Sequence, residues 1–354
     1  MSVLSEHIEK LTSADEAERS YAAEDLGYLN EAAGVPALLE RLDHEPSPVV
    51  RDAICQALIR LDGDEAIQGA IGLFASDDAQ IRNLGVEVLR HKGDRSIPFL
   101  KKAMQEGDQD MRKFVLDALS GVQASGTADL YAAALADDDP NVVITAVENI
   151  GKLRAGEYVS RIEEILANGE HPMLIAACLE SLAEIGNESS LAVVRRRFPE
   201  LTELPTFFLT PYLKLLGAVG REREFVEIAL LLPRQAAHIC PVILSALIAI
   251  HRRCIHQTCP PPELSQAMRD VLETVVEGRD PPACRYQAAR VLSFWAAEDD
   301  VARFLISCLE SSERLVRLGA AEGLRMSQRP GLEALLLKHT LAETDIDVRP
   351  ALGR

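Results

Sequence analysis

The residues best suited to chemistry lie in one short stretch, His251-Arg252-Arg253-Cys254-Ile255-His256-Gln257-Thr258-Cys259-Pro260-Pro261-Pro262. His238 and Cys240 lie upstream and Cys284 downstream. Imidazole and thiolate are zinc ligands, and residues three apart share one face of a helix. His251, Cys254, His256 and Cys259 are therefore the metal candidates. Their spacing matches no paired Cys-x-x-Cys motif. The reading we prefer makes His251, Arg252 and Arg253 a cationic complement to the carbonyls of a helix end, followed by a stiff proline segment. The expectation is no metal and no cofactor. Cys55, Cys178 and Cys308 fall within helical apolar patterns and read as small hydrophobes. The glycines are not clustered as a phosphate loop, and no Ser/His/Asp or Cys/His nucleophile set can be argued from spacing. No catalytic residue is assigned.

Composition narrows the classes further. The 354 residues are 47% apolar, 26% charged and 5% aromatic. That much apolar surface needs a core and excludes a disordered chain. The net charge of -18 speaks against a general nucleic-acid binder, which needs a basic footprint. Seven scattered cysteines point to a reducing compartment, and the expected location is cytoplasmic. The start, Met1 to His7, has no basic or apolar segment, so no signal peptide is expected. The longest apolar stretch, Pro241 to Ile250, is too short to span a bilayer, so no membrane insertion is expected. The charge is uneven. Residues 1–150 hold 28 Asp/Glu against 13 Lys/Arg, a balance of -15, and residues 151–354 a balance of -3.

These residues must be positioned by a repeat. Pro48-Val49-Val50-Arg51-Asp52-Ala53, Ala79-Gln80-Ile81-Arg82-Asn83-Leu84 and Asp110-Met111-Arg112-Lys113-Phe114 share a frame, each followed by a leucine: Leu58, Leu89 and Leu119. Arg19, Arg285 and Arg317 fit the same frame. Anchors fall at 19, 51, 82, 112, 143, 175, 209, 240, 285, 317 and 349. Only the step from 240 to 285 is long, and it predicts a longer loop around Thr258 to Pro262. Before each anchor lies an amphipathic segment such as Val35 to Leu42, then a turn such as Asp137-Asp138-Asp139-Pro140. Turn carboxylates and prolines suit a helix start. The glycines Gly27, Gly63, Gly93, Gly121, Gly151, Gly186 and Gly220 are expected as left-handed helix ends. No strand is credible. Two-helix units cannot bury their apolar faces alone, so they must stack. The expected fold is an all-α solenoid of about ten units over residues 1–354. It has an acidic amino-terminal half (1–185), apolar-anchored middle repeats (140–250), an irregular loop (251–262) and carboxy-terminal repeats (263–354), the last incomplete.

Over residues 2–349 this pattern resembles HEAT repeats, of the short bacterial kind also called phycobilisome-lyase-like. Pro48 to Leu58 carries the resemblance most closely. It implies an armadillo-like superhelix with second helices lining the concave side. It also implies that the anchor arginines, Arg19, Arg51, Arg82, Arg112, Arg285 and Arg317, tie neighbouring units together. At Val143, Ile175, Leu209 and Cys240 the arginine is missing, so those units should stack through apolar contacts, with their own curvature.

At about 100° per residue, the fifth position after each anchor faces away from the core. It reads Glu24, Gln56, Glu87, Asp117, Glu148, Glu180 and then Lys214. The partner-binding candidates are Glu24, Glu87, Asp117, Glu148 and Glu180, a well-exposed acidic ladder for a basic segment of another protein. The bland reading is solubility and helix propensity. Trp295 takes a core phase, and Arg195-Arg196-Arg197 reads as a solvated helix end. The expected function is a non-enzymatic scaffold or adaptor that binds a protein partner along the concave face. The alternative is a bilin-lyase-type chromophore attachment factor or another enzyme of this fold. Deoxyhypusine hydroxylases, which resemble the fold, hold iron through several His-Glu pairs, and here only His44-Glu45 occurs.

Overall fold

A computed structural model of the chain describes residues 2–122, 126–233, 238–254, 263–327 and 331–353. Among the described residues every regular element is a helix. Contacts divide the chain into two compact units, Met1–Tyr158 and Val159–Arg354, and each is an α-solenoid of helix pairs. The first holds α1 (Val3–Lys10) with α2 (Glu16–Leu29), α3 (Val35–His44) with α4 (Pro48–Arg60), α5 (Asp64–Gly72) with α6 (Ala79–Lys92), α7 (Ile97–Glu106) with α8 (Gln109–Leu119), and α9 (Thr127–Ala134) with α10 (Pro140–Lys152). The second holds α11 (Val159–Asn168) with α12 (Pro172–Ile185), α13 (Glu188–Arg197) with α14 (Thr206–Val219), and α15 (Glu222–Ala229) with α16 (Cys240–Cys254). It continues with α17 (Gln266–Glu277) and α18 (Pro282–Leu292), α19 (Asp299–Cys308) and α20 (Arg314–Met326), and α21 (Leu332–Ala342) and the short α22 (Val348–Gly353). Every anchor falls on a second helix. The loop expected around Thr258 to Pro262 lies outside the described residues.

In the first unit, each second helix starts behind a polar side chain. Asp15, Ser47, Asp78, Asp108 and Asp139 accept hydrogen bonds from free amides of α2, α4, α6, α8 and α10. In the second unit, α14, α18 and α20 follow Pro205, Pro281 and Glu313 and have no side-chain cap.

Second helices of successive pairs pack on one another within each unit. Their core sides hold the expected positions: Ile54, Ala57 and Leu58 on α4, and Val115, Ala118 and Leu119 on α8, are buried. The glycine expectation needs correction. Of the seven, only Gly93 has a positive φ, 55°, while Asn30 and Arg154 take left-handed turns without glycine. Gly27 lies inside α2, where a Cβ would come 2.8 Å from Ala57 Cα. It serves close helix approach, not termination.

Four of the six anchor arginines, Arg19, Arg51, Arg112 and Arg317, tie pairs together in a repeated register. Arg19 donates to Glu45 at 2.8 and 2.9 Å. Arg51 donates to Asp78 at 2.9 Å and to the Glu45 carbonyl at 2.6 Å. Arg112 holds Asp137 at 2.6 and 2.9 Å. Arg317 holds Glu343 at 2.8 and 3.1 Å. Each carboxylate belongs to the turn of the following pair. Arg82 departs from this: it donates to the Ser76 carbonyl of its own turn at 2.7 Å and lies over the Phe114 ring. Arg285 also departs, donating to the Val276 carbonyl of its own pair at 2.8 Å, so the expected polar tie between pairs is corrected for both. Glu45 is 0% exposed. Burial alone would raise its carboxyl, but hydrogen bonds from Arg19, the Ser47 amide and Arg41 hold it at about 2. Where the arginine is missing, Val143, Ile175, Leu209 and Cys240 are buried.

A second set of cations closes helix ends. Lys92 donates to the Ile59 carbonyl at 2.8 Å, Arg197 to those of Leu166 at 2.8 Å and Gly169 at 2.6 Å, and Arg253 to those of Gly217 at 2.6 Å and Gly220 at 3.1 Å. Each reaches back to the preceding pair. Arg197 and Arg253 thus meet helix carbonyls of the preceding pair, whereas Arg195 pairs with Glu224 at 2.6 Å and Glu227 at 2.7 Å, which corrects the reading of 195–197 as a solvated helix end.

Candidate partner-binding site

Glu24, Glu87, Asp117 and Glu148 lie on α2, α6, α8 and α10 of the first unit, and Glu180 on α12 of the second. Glu148 and Glu180 are exposed, but Glu24, Glu87 and Asp117 are half-buried, which corrects the expectation of full exposure. Nor are the carboxylates bare. Glu87 accepts from Arg90 at 2.9 Å and lies 3.3 Å from His91. Lys152 is 4.0 Å from Glu148, and Lys214 is 3.4 Å from Glu180. Lys214, where the row changes sign, is thus the counter-ion of the carboxylate before it. Burial raises the Asp117 carboxyl, against the opposing pull of Lys113. Neighbouring helices and cations one turn away, which the fifth-position count ignores, account for the difference.

Part of the first unit's acidity is structural. Asp15, Asp78, Asp108 and Asp139 are caps, and Glu45, Asp78 and Asp137 receive anchor arginines. The surface feature that the repeat count passes over is aromatic. Tyr21 and Tyr28 on α2 are 66% and 71% exposed, seven residues apart and therefore on one face. The exposed Asp25 lies between them, and Arg60 of α4 sits 4.8 Å from the Tyr28 ring centre. Val49, at the start of α4, is also exposed. Their signal in the sequence is the seven-residue spacing of Tyr21 and Tyr28 within a single helix.

The histidine–cysteine stretch divides. His256 and Cys259 lie outside the described residues. His251 stacks on Phe294, ring centres 3.7 Å apart, within a cluster that includes Phe225 and the buried Trp295. Burial, and then Arg290, lowers its imidazole to about 4. Cys254 borders a cleft of 260 Å³ with Arg221, Arg253 and Asn187. Among the described residues, no three His, Cys, Asp or Glu side chains converge for a metal. Cys55, Cys178 and Cys308 are buried, which pushes each thiol up to about 12. Among the described residues no helix is long and apolar enough to cross a membrane.

The family model described as HEAT repeats matches residues 4–90, which span α1 to α6. The phycobilisome-lyase variety finds no support beyond that. No curated protein matches the chain. Among solved structures, importin beta aligns at a TM-score of 0.57 and 12% identity, covering 99% of this chain and 56% of that one. The chain therefore spans a little over half of importin beta. An engineered protein aligns at 0.49 and 18% identity, covering 94% of this chain and 100% of that one. Kap121p aligns at 0.42 and 13% identity, covering 99% and 44%. At 12% identity the likeness to importin beta shows the fold, an α-solenoid.

Proposed function

We propose that this HEAT-repeat chain is a non-enzymatic, cytoplasmic scaffold that binds another protein along the second helices of its first unit. The observation that carries the reading is the exposed pair Tyr21 and Tyr28 beside Glu24 and Asp25 on α2. Tyrosine offers a large rigid ring with a polar tip, and such residues concentrate binding energy at interfaces. Glu24, Glu87, Asp117 and Glu148 add a negative potential along the same row of helices, which favours a basic segment. The pairs that Glu87 and Glu148 make with Arg90 and Lys152 are surface pairs, contributing roughly 0–1 kcal/mol each. A partner's lysine or arginine can replace those cations at little cost. In the HEAT family the second helices line the concave side, so a segment laid along them would lie in a groove. The repeat register, anchor to anchor, passes from residue 143 to 175 at the ordinary step, so we read 1–354 as one array.

The test is quantitative affinity capture from the native cell, with wild type beside two variants. One is Tyr21→Ala/Tyr28→Ala, and the other is Glu24→Lys/Glu87→Lys/Glu148→Lys. A protein captured by wild type and depleted by both variants supports the reading. A set of captured proteins that both folded variants retain in full contradicts it.

A further inference from the structure

The anchor position of α16 holds a thiol, Cys240, where other pairs hold a guanidinium or a branched apolar chain. Cys240 is the first residue of α16 and is buried. Cys284 lies in the first turn of α18, the second helix of the next pair, and is buried as well. The two helices pack together within the second unit. One turn further along, Gln287 Nε2 of α18 donates to Ser245 Oγ of α16 at 2.7 Å, which fixes their register. In that register the Cys240 and Cys284 side chains are neighbours, and each shifts the other's titration. Two sulfurs therefore meet at the amino ends of two adjacent helices, where backbone amides favour negative charge.

We propose that Cys240 and Cys284 are a redox pair that closes into a disulfide on exposure to peroxide and fastens α16 to α18. The neighbouring Cys240 lowers the Cys284 thiol, while Cys284 and then burial raise Cys240. Cys284 is accordingly the attacking group. Its thiolate attacks one oxygen of hydrogen peroxide, the O–O bond breaks, and hydroxide leaves to become water. The sulfenic acid so formed is attacked by the Cys240 sulfur as that thiol gives up its proton. The S–S bond forms, and the displaced hydroxide takes the proton as a second water. Two thiols lose two electrons, and one peroxide becomes two waters. A low-molecular-weight thiol reverses the bond by exchange. Reversible bonds of this kind are the ones a reducing compartment tolerates. The bond would stand where an anchor arginine ties pairs elsewhere in the chain.

The experiment uses the full chain and hydrogen peroxide, with free thiols alkylated under denaturing conditions and peptides mapped by mass spectrometry. The expected result is a linked Cys240–Cys284 peptide, with Cys55, Cys178 and Cys308 still alkylated. Cys284 should react about tenfold faster than Cys178, since its thiol is lowered by its neighbour at a helix start while burial raises that of Cys178. Melting should rise by about 5 °C on oxidation and return on reduction. Cys240→Ser should leave a sulfenic acid on Cys284 that a dimedone-type reagent traps. If that variant does not fold, Cys284→Ser, with Cys240 unlinked and unreactive, is the matching control. The proposal is overturned if folded wild type leaves Cys240 and Cys284 as free as Cys178 at peroxide levels that oxidise glutathione. A linkage of Cys284 to Cys254 or Cys259 instead also overturns it.

Discussion

Helix α4 begins behind the Ser47 cap, and in its turn Glu45 receives Arg19 while Arg51 reaches forward to Asp78. Helix α14 begins behind Pro205 with no side-chain cap, and Leu209 occupies the anchor place, fully buried. Both solve one problem, holding a second helix in a stack. The first solution is polar and directional, so it specifies a register but depends on protonation. The second is apolar and pH-independent, and specifies register only through shape. Most pairs of the first unit use the polar solution, while α12, α14 and α16 use the apolar one. The contrast also accounts for the charge. The first unit is acidic partly because its caps and ties are carboxylates, and only the remainder is available to a partner.

The comparison can be broken most sharply at Arg19. Arg19→Ala leaves Glu45 buried with one of its two arginines gone, and should cost about 4 kcal/mol, since breaking a buried pair strands a charge. Adding Glu45→Gln should recover much of that loss in a denaturant titration. Leu209→Ala should cost about 3 kcal/mol through the cavity it leaves, with no polar rescue. If Arg19→Ala were neutral, the tie would be ornamental.

Acid separates the two units next. Glu45 has its carboxyl depressed to about 2, so its stabilisation is complete above pH 4.5 and disappears as pH falls toward 2, roughly 3 kcal/mol in all. His251 is held neutral, lowered to about 4 by burial and then Arg290, so its environment is stable above pH 6.5 and is lost as pH falls toward 4, roughly 3 kcal/mol. The second unit should therefore soften first on acidification. Trp295, the chain's one tryptophan, sits in the His251 cluster and reports this by fluorescence. His251→Phe should flatten the slope between pH 6.5 and 4. An unchanged slope would assign the titration elsewhere.

Smaller effects sharpen the picture. Arg82→Ala loses one carbonyl bond and a ring contact, not a carboxylate, and should cost about 1–2 kcal/mol. That places it below Arg19→Ala in the same thermal melt. Tyr28→Ala should change stability by under about 0.5 kcal/mol, because an exposed ring supports little of the fold.

The fold was legible because its signals are local and repeated. Apolar spacing within Pro48 to Leu58, a turn carboxylate before it and an arginine in the first turn suffice to define a pair, and each recurs. The need of a guanidinium for acceptors accounts for the ties of Arg19, Arg51, Arg112 and Arg317, while Arg82 and Arg285 find carbonyls within their own pairs. The glycines misled because close helix approach and left-handed turns favour the same residue: Gly27 serves the former and Gly93 the latter. The acidic row was read in position but not in exposure, since burial of Asp117 depends on the packing of neighbouring helices, and Glu87 is paired by Arg90 and His91 one turn along its own helix. Tyr21 and Tyr28 stood outside the counted positions. The contact of Cys240 with Cys284 crosses the one irregular step, where the repeat gives no register to predict it.

The most direct test of the scaffold reading is calorimetric titration of the captured partner into the chain across a salt series. We predict that wild-type affinity falls steeply as salt rises. The Glu24→Lys/Glu87→Lys/Glu148→Lys variant should bind about tenfold more weakly at low salt, with a flattened dependence, and Tyr21→Ala/Tyr28→Ala should weaken binding at every salt concentration. Identical isotherms for wild type and both variants across the series would contradict a binding surface on the second helices of Met1–Tyr158.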